Sequence, residues 1–185
     1  MRCFFFIATL FVFTLMGHAQ TNDVEANAKA NRAAGRADVT VISVTPQNDE
    51  DGDIGSVIVS YRLTNGLEKK IRIAMPWPVE SFTGGETSDV DIDFDGVDDL
   101  QVELGLLNGT GTNMFYAGLL WNKDKQEFVE VEDYCNIVNA TPDPGNRCIN
   151  GFIIETPHIT VQKWEWKNGA LELTHEHEEN LMDED

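Results

Sequence analysis

The sequence predicts an all-β protein, a single antiparallel β domain (sandwich or open barrel-like) of about ten short strands. Apolar and polar residues alternate with a period of two from Val39 onwards. Turn signals such as Asn65-Gly66 and Asn168-Gly169 separate the alternating segments, and none of these segments has a convincing helical period. The 185 residues suit one domain, because they leave little room for two complete cores.

The first 37 residues are expected to precede this domain. Residues 1–19 are interpreted as a signal peptide, because a positive Arg2 is followed by an apolar run and the small residues of a cleavage site between Ala19 and Gln20. The run is too short to span a bilayer comfortably, and no later stretch is long enough, so no transmembrane segment is predicted. The protein is expected to be secreted or periplasmic. Residues 20–37, rich in Ala and Asn, are interpreted as a flexible leader.

The β domain is assigned to residues 38–175. Its first hairpin is predicted to turn near Asn65-Gly66. A two-residue turn would place Tyr61 opposite Lys70. A three-residue loop at 65–67 is favoured, because it buries one clean apolar face. That register aligns Val57, Val59 and Tyr61 with Met75, Ile73 and Ile71.

The last hairpin is predicted to turn at Asn168-Gly169. A two-residue turn there pairs Trp166 with Leu171 and Trp164 with Leu173, which predicts that both Trp side chains pack in the core. Between the two hairpins, strands are predicted at residues 100–107, 114–121, 127–132 and 149–155. Residues 176–185 are interpreted as a solvated acidic tail. His175 and His177 beside it could bind a transition metal, but a solvated terminus is the favoured interpretation.

Residues 91–100, with the sequence DIDFDGVDDL, carry the strongest chemical signal. Calcium loops place oxygen ligands at positions 1, 3, 5 and 9, a backbone carbonyl at position 7, and glycine at position 6. Calcium is favoured because it accepts many oxygen ligands in a flexible geometry, whereas zinc prefers His or Cys. The predicted Ca²⁺ ligands are Asp91, Asp93, Asp95, the carbonyl of Val97, and Asp99.

The residues around this loop argue against an EF-hand. Position 12 is Val102 and not Glu, and alternating apolar residues on both sides predict strands. The loop is therefore interpreted as the calcium turn of a β-hairpin. The alternative is a merely acidic surface turn, which is common in a chain this acidic.

Two cysteines follow the predicted signal peptide, Cys135 and Cys148. An oxidising compartment favours pairing them, and the segment between them has no apolar period to hold it in place. No CxxC or Cys/His signature surrounds either residue, so a structural disulfide is predicted rather than a reactive thiol.

The acidic loop resembles the DxDxDGxxDL calcium loop of FG-GAP and integrin-type repeats. Downstream of it come GTGTN at 109–113, then Tyr116, Leu120-Trp121, Phe128 and the WKNG sequence at 166–169. This order is similar to a small exported bacterial family that includes periplasmic immunity lipoproteins against lysozyme-like effectors of a type IV secretion system. The resemblance covers about residues 89–173. The chain lacks the lipobox cysteine of the immunity members, and its one calcium loop argues against a propeller.

The charge is compatible with the function that this resemblance implies. The formal net charge is −19, or −20 without residues 1–19, which argues against binding to nucleic acid or anionic lipid and favours cations or a basic protein partner. The sequence contains no GxSxG, HExxH or P-loop motif, so no enzymatic activity is predicted. We expect an exported, calcium-binding, non-catalytic protein that inhibits a lysozyme-like cell-wall hydrolase.

The alternative function is a calcium-dependent adhesion or carbohydrate-binding module. In that case exposed aromatic side chains would stack on a cell-surface glycan, and the candidate contacts are Trp77, Tyr116 and Trp121. Trp77 lies between two prolines, which predicts that it is not in a central strand.

Overall fold

The computed structural model describes residues 39–48, 50, 54–79, 82, 84–106 and 112–180, with the backbone alone for residues 76–79. Within these residues the protein is almost entirely β, with three antiparallel sheets and no closed barrel, so the predicted fold class is confirmed. The predicted signal peptide and leader lie outside the described residues. In the part of the chain that is described, no helix is long and apolar enough to cross a membrane.

In the described part of the chain, eleven strands form these three sheets. Sheet 1 has the order β1-β2-β3, sheet 2 the order β4-β5-β6-β7, and sheet 3 the order β11-β10-β9-β8. A single turn of 3₁₀ helix, Tyr134–Asn136, connects sheet 2 to sheet 3. The strands are β1 (Val39–Asn48), β2 (Ile54–Leu63), β3 (Glu68–Val79), β4 (Thr87–Val90), β5 (Asp99–Leu106), β6 (Met114–Asn122), β7 (Glu127–Glu130), β8 (Thr141–Asp143), β9 (Cys148–Glu155), β10 (His158–Lys167) and β11 (Ala170–Asn180).

Sheet 2 separates two hydrophobic cores, because alternate residues of a strand face opposite sides. In β6, Phe115 and Leu119 pack with sheet 1, whereas Tyr116 and Leu120 pack on the other side. The first core joins sheet 1 to sheet 2 and includes Val57, Val59, Tyr61, Ile73, Leu100, Val102 and Leu104. The second core joins sheet 2 to sheet 3 and includes Ile92, Phe94, Tyr134, Ile137, Ile149 and Leu171.

The 3₁₀ helix lies directly against sheet 2. A Cβ added at Gly118 would lie 2.7 Å from the ring of Tyr134, so only glycine allows β6 to approach this ring so closely. Gln101 secures the same contact from β5, where it is buried and its side-chain amide donates to the Tyr134 hydroxyl at 3.1 Å and to the carbonyl of Ala140 at 2.9 Å.

The predicted register of the last hairpin is confirmed. Trp166 pairs with Leu171 and Trp164 with Leu173, and both Trp side chains pack against the second core. The same register places Glu165 opposite Glu172. Lysines lie close to both carboxylates: Lys163 Nζ is 2.6 Å from Glu165, and Lys167 Nζ is 3.8 Å from Glu172.

The register predicted for the first hairpin is wrong by two residues. The loop has three residues as predicted, but they are Thr64 to Gly66, and Val57, Val59 and Tyr61 pair with Ile73, Ile71 and Lys69. Asn65 Oδ1 accepts the amide of Leu67 at 2.9 Å, which closes the loop one residue earlier than predicted. The shift is an even number, so the apolar face is unchanged.

The predicted disulfide is not present: both Cys135 and Cys148 have free thiols in the described structure. Cys135 lies in the 3₁₀ helix and packs against the first core. Cys148 is buried at the start of β9, where its Sγ lies 3.9 Å from Asn150 Oδ1. The two thiols therefore occupy different surroundings, and burial raises the pKa of both.

The predicted start of the acidic tail at residue 176 is also wrong. β11 continues to Asn180, and its last five residues pair with the beginning of β10. These residues are exposed, as expected of an acidic segment, but they form the edge strand of sheet 3. Residues 181–185 lie outside the described part.

Candidate metal centre

The acidic loop connects β4 to β5 and is closed by the Val90–Asp99 pair. Ile92 and Phe94 are buried in the second core, while Asp91, which is also buried, and the half-buried Asp93 belong to the group of carboxylates. The apolar side chains thus anchor the loop to the protein, and this anchoring brings its carboxylates together.

Two residues of the loop adopt a left-handed backbone, Phe94 with φ 61° and Gly96 with φ 86°. A Cβ at Gly96 would meet no atom within 4 Å, so glycine is required there by backbone conformation and not by space. This is the sharp turn that the sequence predicted at position 6.

Three of the predicted ligands meet in this loop. Asp91, Asp93 and Asp99 each offer a carboxylate oxygen, and these oxygens lie within 4.8 Å of one another. Asp91 and Asp99 are buried and Asp93 is half-buried. Three carboxylates this close repel one another strongly unless a cation lies between them.

The loop amides hold these carboxylates in place. Asp99 accepts the amide of Ile92 at 2.9 Å with one oxygen and that of Trp121 at 2.8 Å with the other. Asp91 Oδ2 accepts the amide of Gly96 at 3.0 Å, and Asp93 Oδ1 accepts that of Asp95 at 3.1 Å. Each carboxylate is therefore oriented by the backbone of the loop or of β6.

One buried oxygen of the cluster is unsatisfied. Asp91 is only 8% exposed, and its Oδ1 is buried. This oxygen receives no hydrogen bond from the described residues. A buried polar atom without a partner costs about 1–3 kcal/mol, and more when it carries charge. The unpaired oxygen next to two further carboxylates fits a bound cation, which would supply the missing partner.

Burial and mutual repulsion favour neutralisation of the negative charge on the three carboxylates. Burial raises the pKa of Asp91 and, more strongly, that of Asp99, which reaches about 7 although two backbone donors act in the opposite direction. Burial and the nearby charge of Asp95 raise the pKa of Asp93. All three shifts disfavour charged carboxylates in the metal-free protein, and a divalent cation would reverse this.

Two other predicted ligands are placed differently. Asp95 is exposed, accepts the amide of Val97 at 2.7 Å with Oδ1, and has its Oδ2 3.6 Å from Lys123 Nζ. Its side chain is not part of the three-carboxylate group. Val97 is buried, and its carbonyl as a ligand stays a prediction.

Sheet 3 holds the loop through two residues that the sequence did not indicate as part of the site. The indole Nε1 of Trp166 donates to the carbonyl of Ile92 at 2.8 Å. The guanidinium of Arg147 donates to the carbonyl of Phe94 at 3.0 Å and lies 5.8 Å from the centre of the Phe94 ring. Trp166 was predicted only as a core residue, and no sequence signal pointed to Arg147.

Of the aromatic residues suggested as ligand contacts, the two whose side chains the structure describes do not form an exposed platform. Tyr116 is half-buried against the second core. Trp121 is half-buried against the first core, edge-on to Phe128 with ring centres 5.1 Å apart. The side chain of Trp77 lies outside the described residues.

In comparisons with known proteins, no family model, curated protein or solved structure matches the chain.

Proposed function

We propose that the protein is a Ca²⁺-stabilised, non-catalytic binding protein. The ion is held by the carboxylates of Asp91, Asp93 and Asp99. Asp95 and the carbonyl of Val97 complete its coordination. The observation that carries this proposal is the buried Asp91 Oδ1, which has no hydrogen-bond partner among the described residues and lies beside two further carboxylates. A donor set made only of oxygen favours Ca²⁺ over Zn²⁺.

The metal has a structural role in this proposal. The loop contributes Ile92 and Phe94 to the second core, and sheet 3 holds two of its carbonyls. An ion that neutralises the carboxylates would therefore stabilise both the loop and the contact between sheets 2 and 3.

Thermal unfolding with Ca²⁺, Mg²⁺ or chelator tests the metal site. A ligand at about 100 times its Kd adds about 2.7 kcal/mol, which raises the Tm of a domain of this size by roughly 5–10 °C. Asp91→Asn should abolish the Ca²⁺-dependent increase. Asp98→Asn removes the same charge from the same loop but lies outside the three-carboxylate group, so it should keep the increase.

Calorimetry then distinguishes a real site from an acidic turn. A single Ca²⁺ binding event that is lost in Asp91→Asn and kept in Asp98→Asn supports the proposal. If chelator changes neither the Tm nor any calorimetric signal, the loop is a bare acidic turn and the proposed metal site is refuted.

The proposed partner is a basic, lysozyme-like cell-wall hydrolase, which the protein would inhibit in the periplasm or outside the cell. The net charge of −19 supports this choice, because opposite charges steer association. The purified protein should slow muramidase lysis of cell walls in a salt-sensitive manner. Absence of inhibition across several lysozyme families would refute the inhibitor function while leaving the metal site intact.

The adhesion alternative is less favoured, because Tyr116 and Trp121 pack against the two cores. Affinity capture with and without chelator separates the two functions. Calcium-dependent capture of a lysozyme-like protein supports inhibition, whereas retention of glycan without a protein partner supports adhesion.

A further inference from the structure

His175, His177 and Glu179 lie on one face of β11, the edge strand of sheet 3. Residues two apart in a regular strand face the same side, but a β-bulge at Thr174, between the pairs Trp164–Leu173 and Lys163–His175, reverses the alternation. The three residues therefore lie on the face opposite to Trp164 and Trp166, which pack in the second core. We call them the histidine face. All three are exposed, so a ligand from solvent can reach them.

The two imidazole rings are spaced as two ligands of one metal would be. Their centres lie 5.2 Å apart. A metal about 2.1 Å from an imidazole nitrogen lies about 3.2 Å from the ring centre, so two bound rings have centres about 4.5 Å apart at the right angle that Ni²⁺ and Cu²⁺ prefer and about 5.2 Å apart at a tetrahedral angle. The donor atoms of His175, His177 and Glu179 do not form a three-ligand group in the described conformation, so the side chains must rotate to direct both nitrogens to one ion.

Glu179 supplies a third donor. Its Oε1 lies 2.8 Å from Nε2 of His177, where a metal ion would bind both atoms in place of the hydrogen bond. Lys163 is opposite His175 in the ladder, but its ammonium is held by Glu165 at 2.6 Å. The surrounding chain is strongly acidic, which favours cations at this face.

We infer that the histidine face is a site for a divalent transition metal of the Ni²⁺, Cu²⁺ or Zn²⁺ class, with two imidazoles and one carboxylate as ligands. Imidazole ligands select these metals, and the remaining positions are left to water.

This site is separate from the acidic loop in place and in chemistry. The loop offers three carboxylates, whereas the histidine face offers two nitrogens. Trp166, which contacts the loop, is next to the β10–β11 turn, whereas His177 pairs with Val161 farther along the same hairpin. The inference therefore does not depend on the calcium proposal.

Calorimetry with Ni²⁺ tests the site, on protein made without a polyhistidine tag and in excess Ca²⁺. We expect one Ni²⁺ per chain. His175→Gln and His177→Gln should each weaken binding about tenfold or more, because loss of even an indirect metal partner costs about 10–100-fold in affinity. Glu179→Gln should weaken it less. Because these positions are exposed, each variant should keep its Tm, and thermal unfolding checks this.

His158→Gln is the matched control. His158 is also an exposed histidine of this hairpin, but its Nδ1 contacts Glu178 at 3.1 Å on the opposite face. The His158→Gln variant should leave Ni²⁺ binding unchanged, as should Asp91→Asn in the acidic loop.

Substoichiometric Cu²⁺ gives an independent readout by NMR. It should broaden the ring-proton signals of His175 and His177 and spare those of His158. Absence of Ni²⁺ binding, equal binding by all variants, or equal broadening of the three histidines would each overturn the inference.

Discussion

At the residue scale, the carboxylates of the acidic loop have two uses. Asp99 accepts backbone amides from Ile92 and Trp121, so it joins the loop to β6 whether or not an ion is bound. Asp91 uses one oxygen for Gly96 and leaves the other without a partner in the described structure. Metal-free folding is therefore compatible with this loop, but at an electrostatic cost that Ca²⁺ would remove.

This cost predicts the pH dependence of the metal-free protein. The pKa of Asp99 rises from an ordinary 3.8 to about 7 through burial, and those of Asp91 and Asp93 rise in the same direction. Between pH 4 and 7 the folded protein keeps a proton that the unfolded chain has released. The free energy of unfolding should therefore fall as the pH rises through this window, by on the order of a few kcal/mol.

Urea unfolding in chelator at a series of pH values measures this slope. Saturating Ca²⁺ should remove most of it, because the bound carboxylates are ionised in the folded state. Asp99→Asn should flatten the slope in chelator. A stability that instead increases from pH 4 to 7 in chelator would contradict the prediction.

Gln101 illustrates a residue whose importance no motif revealed. Its amide satisfies the Tyr134 hydroxyl and the Ala140 carbonyl in a buried position. Gln101→Leu should destabilise the protein by about 2–3 kcal/mol, because it leaves both groups unpaired. Chemical denaturation measures this loss.

Ser88→Ala is the control for Gln101. It removes only the exposed hydroxyl that donates to Gln101 Oε1 at 3.2 Å, so its effect should stay below about 1 kcal/mol. Equal losses in Gln101→Leu and Ser88→Ala would show that the buried contacts of Gln101 contribute little.

At the element scale, local signals predicted the strands well and their partners less well. The Asn168-Gly169 turn fixes its own register, because a two-residue turn leaves one way to pair Trp166. At Asn65-Gly66 the side chain of Asn65 closes a loop at Thr64–Gly66 that propensity did not distinguish from the loop one residue later. The buried face survived, because it depends only on the parity of the register.

Long-range placement was the information that the sequence lacked. The spacing of Cys135 and Cys148 fits a disulfide, but it does not show that one thiol packs into the first core while the other opens β9. The charge of residues 176–180 suggested a tail, yet β10 is long enough to pair with all of them. In both cases tertiary contacts determined the structure, and composition did not.

The same limit applies to the metal centre. The DxDxDGxxD spacing predicted the sharp turn and the approach of Asp91, Asp93 and Asp99. It did not predict that Asp95 faces Lys123, because that lysine comes from the β6–β7 turn. Arg147 is 53 positions from the carbonyl that it contacts, so no local pattern could place it at the loop.

The contact between sheet 3 and the loop gives an element-scale prediction. Trp166→Phe keeps an aromatic side chain in the second core but removes the 2.8 Å bond to the Ile92 carbonyl. Calcium affinity should fall severalfold, because the loop loses a donor that fixes its backbone. Calorimetry measures the change.

Trp164→Phe is the control, since Trp164 packs in the same core and its Nε1 donates to Gln162 at 3.3 Å. Equal affinities in the two variants would contradict this prediction.

At the scale of the whole molecule, the acidic loop lies where two of the three sheets meet. Sheet 2 carries a core on each face, and the loop inserts Ile92 and Phe94 only into the core shared with sheet 3. Metal occupancy is therefore expected to affect the contact between sheets 2 and 3 more than that between sheets 1 and 2. A surface that is assembled by this contact would depend on Ca²⁺ without touching the ion.

Charge and calcium should then act on different steps of partner binding. The net charge of −19 acts over distance, so raising the salt from about 50 to 500 mM should slow association with a basic muramidase by about tenfold or more and change dissociation little. Chelation removes two positive charges and makes the protein more acidic. If calcium acted only through charge, chelation would speed association. If it orders the contact between sheets 2 and 3, chelation at constant ionic strength should instead speed dissociation. Surface plasmon resonance measures both rates, and a chelator effect confined to association would contradict the structural role of the ion.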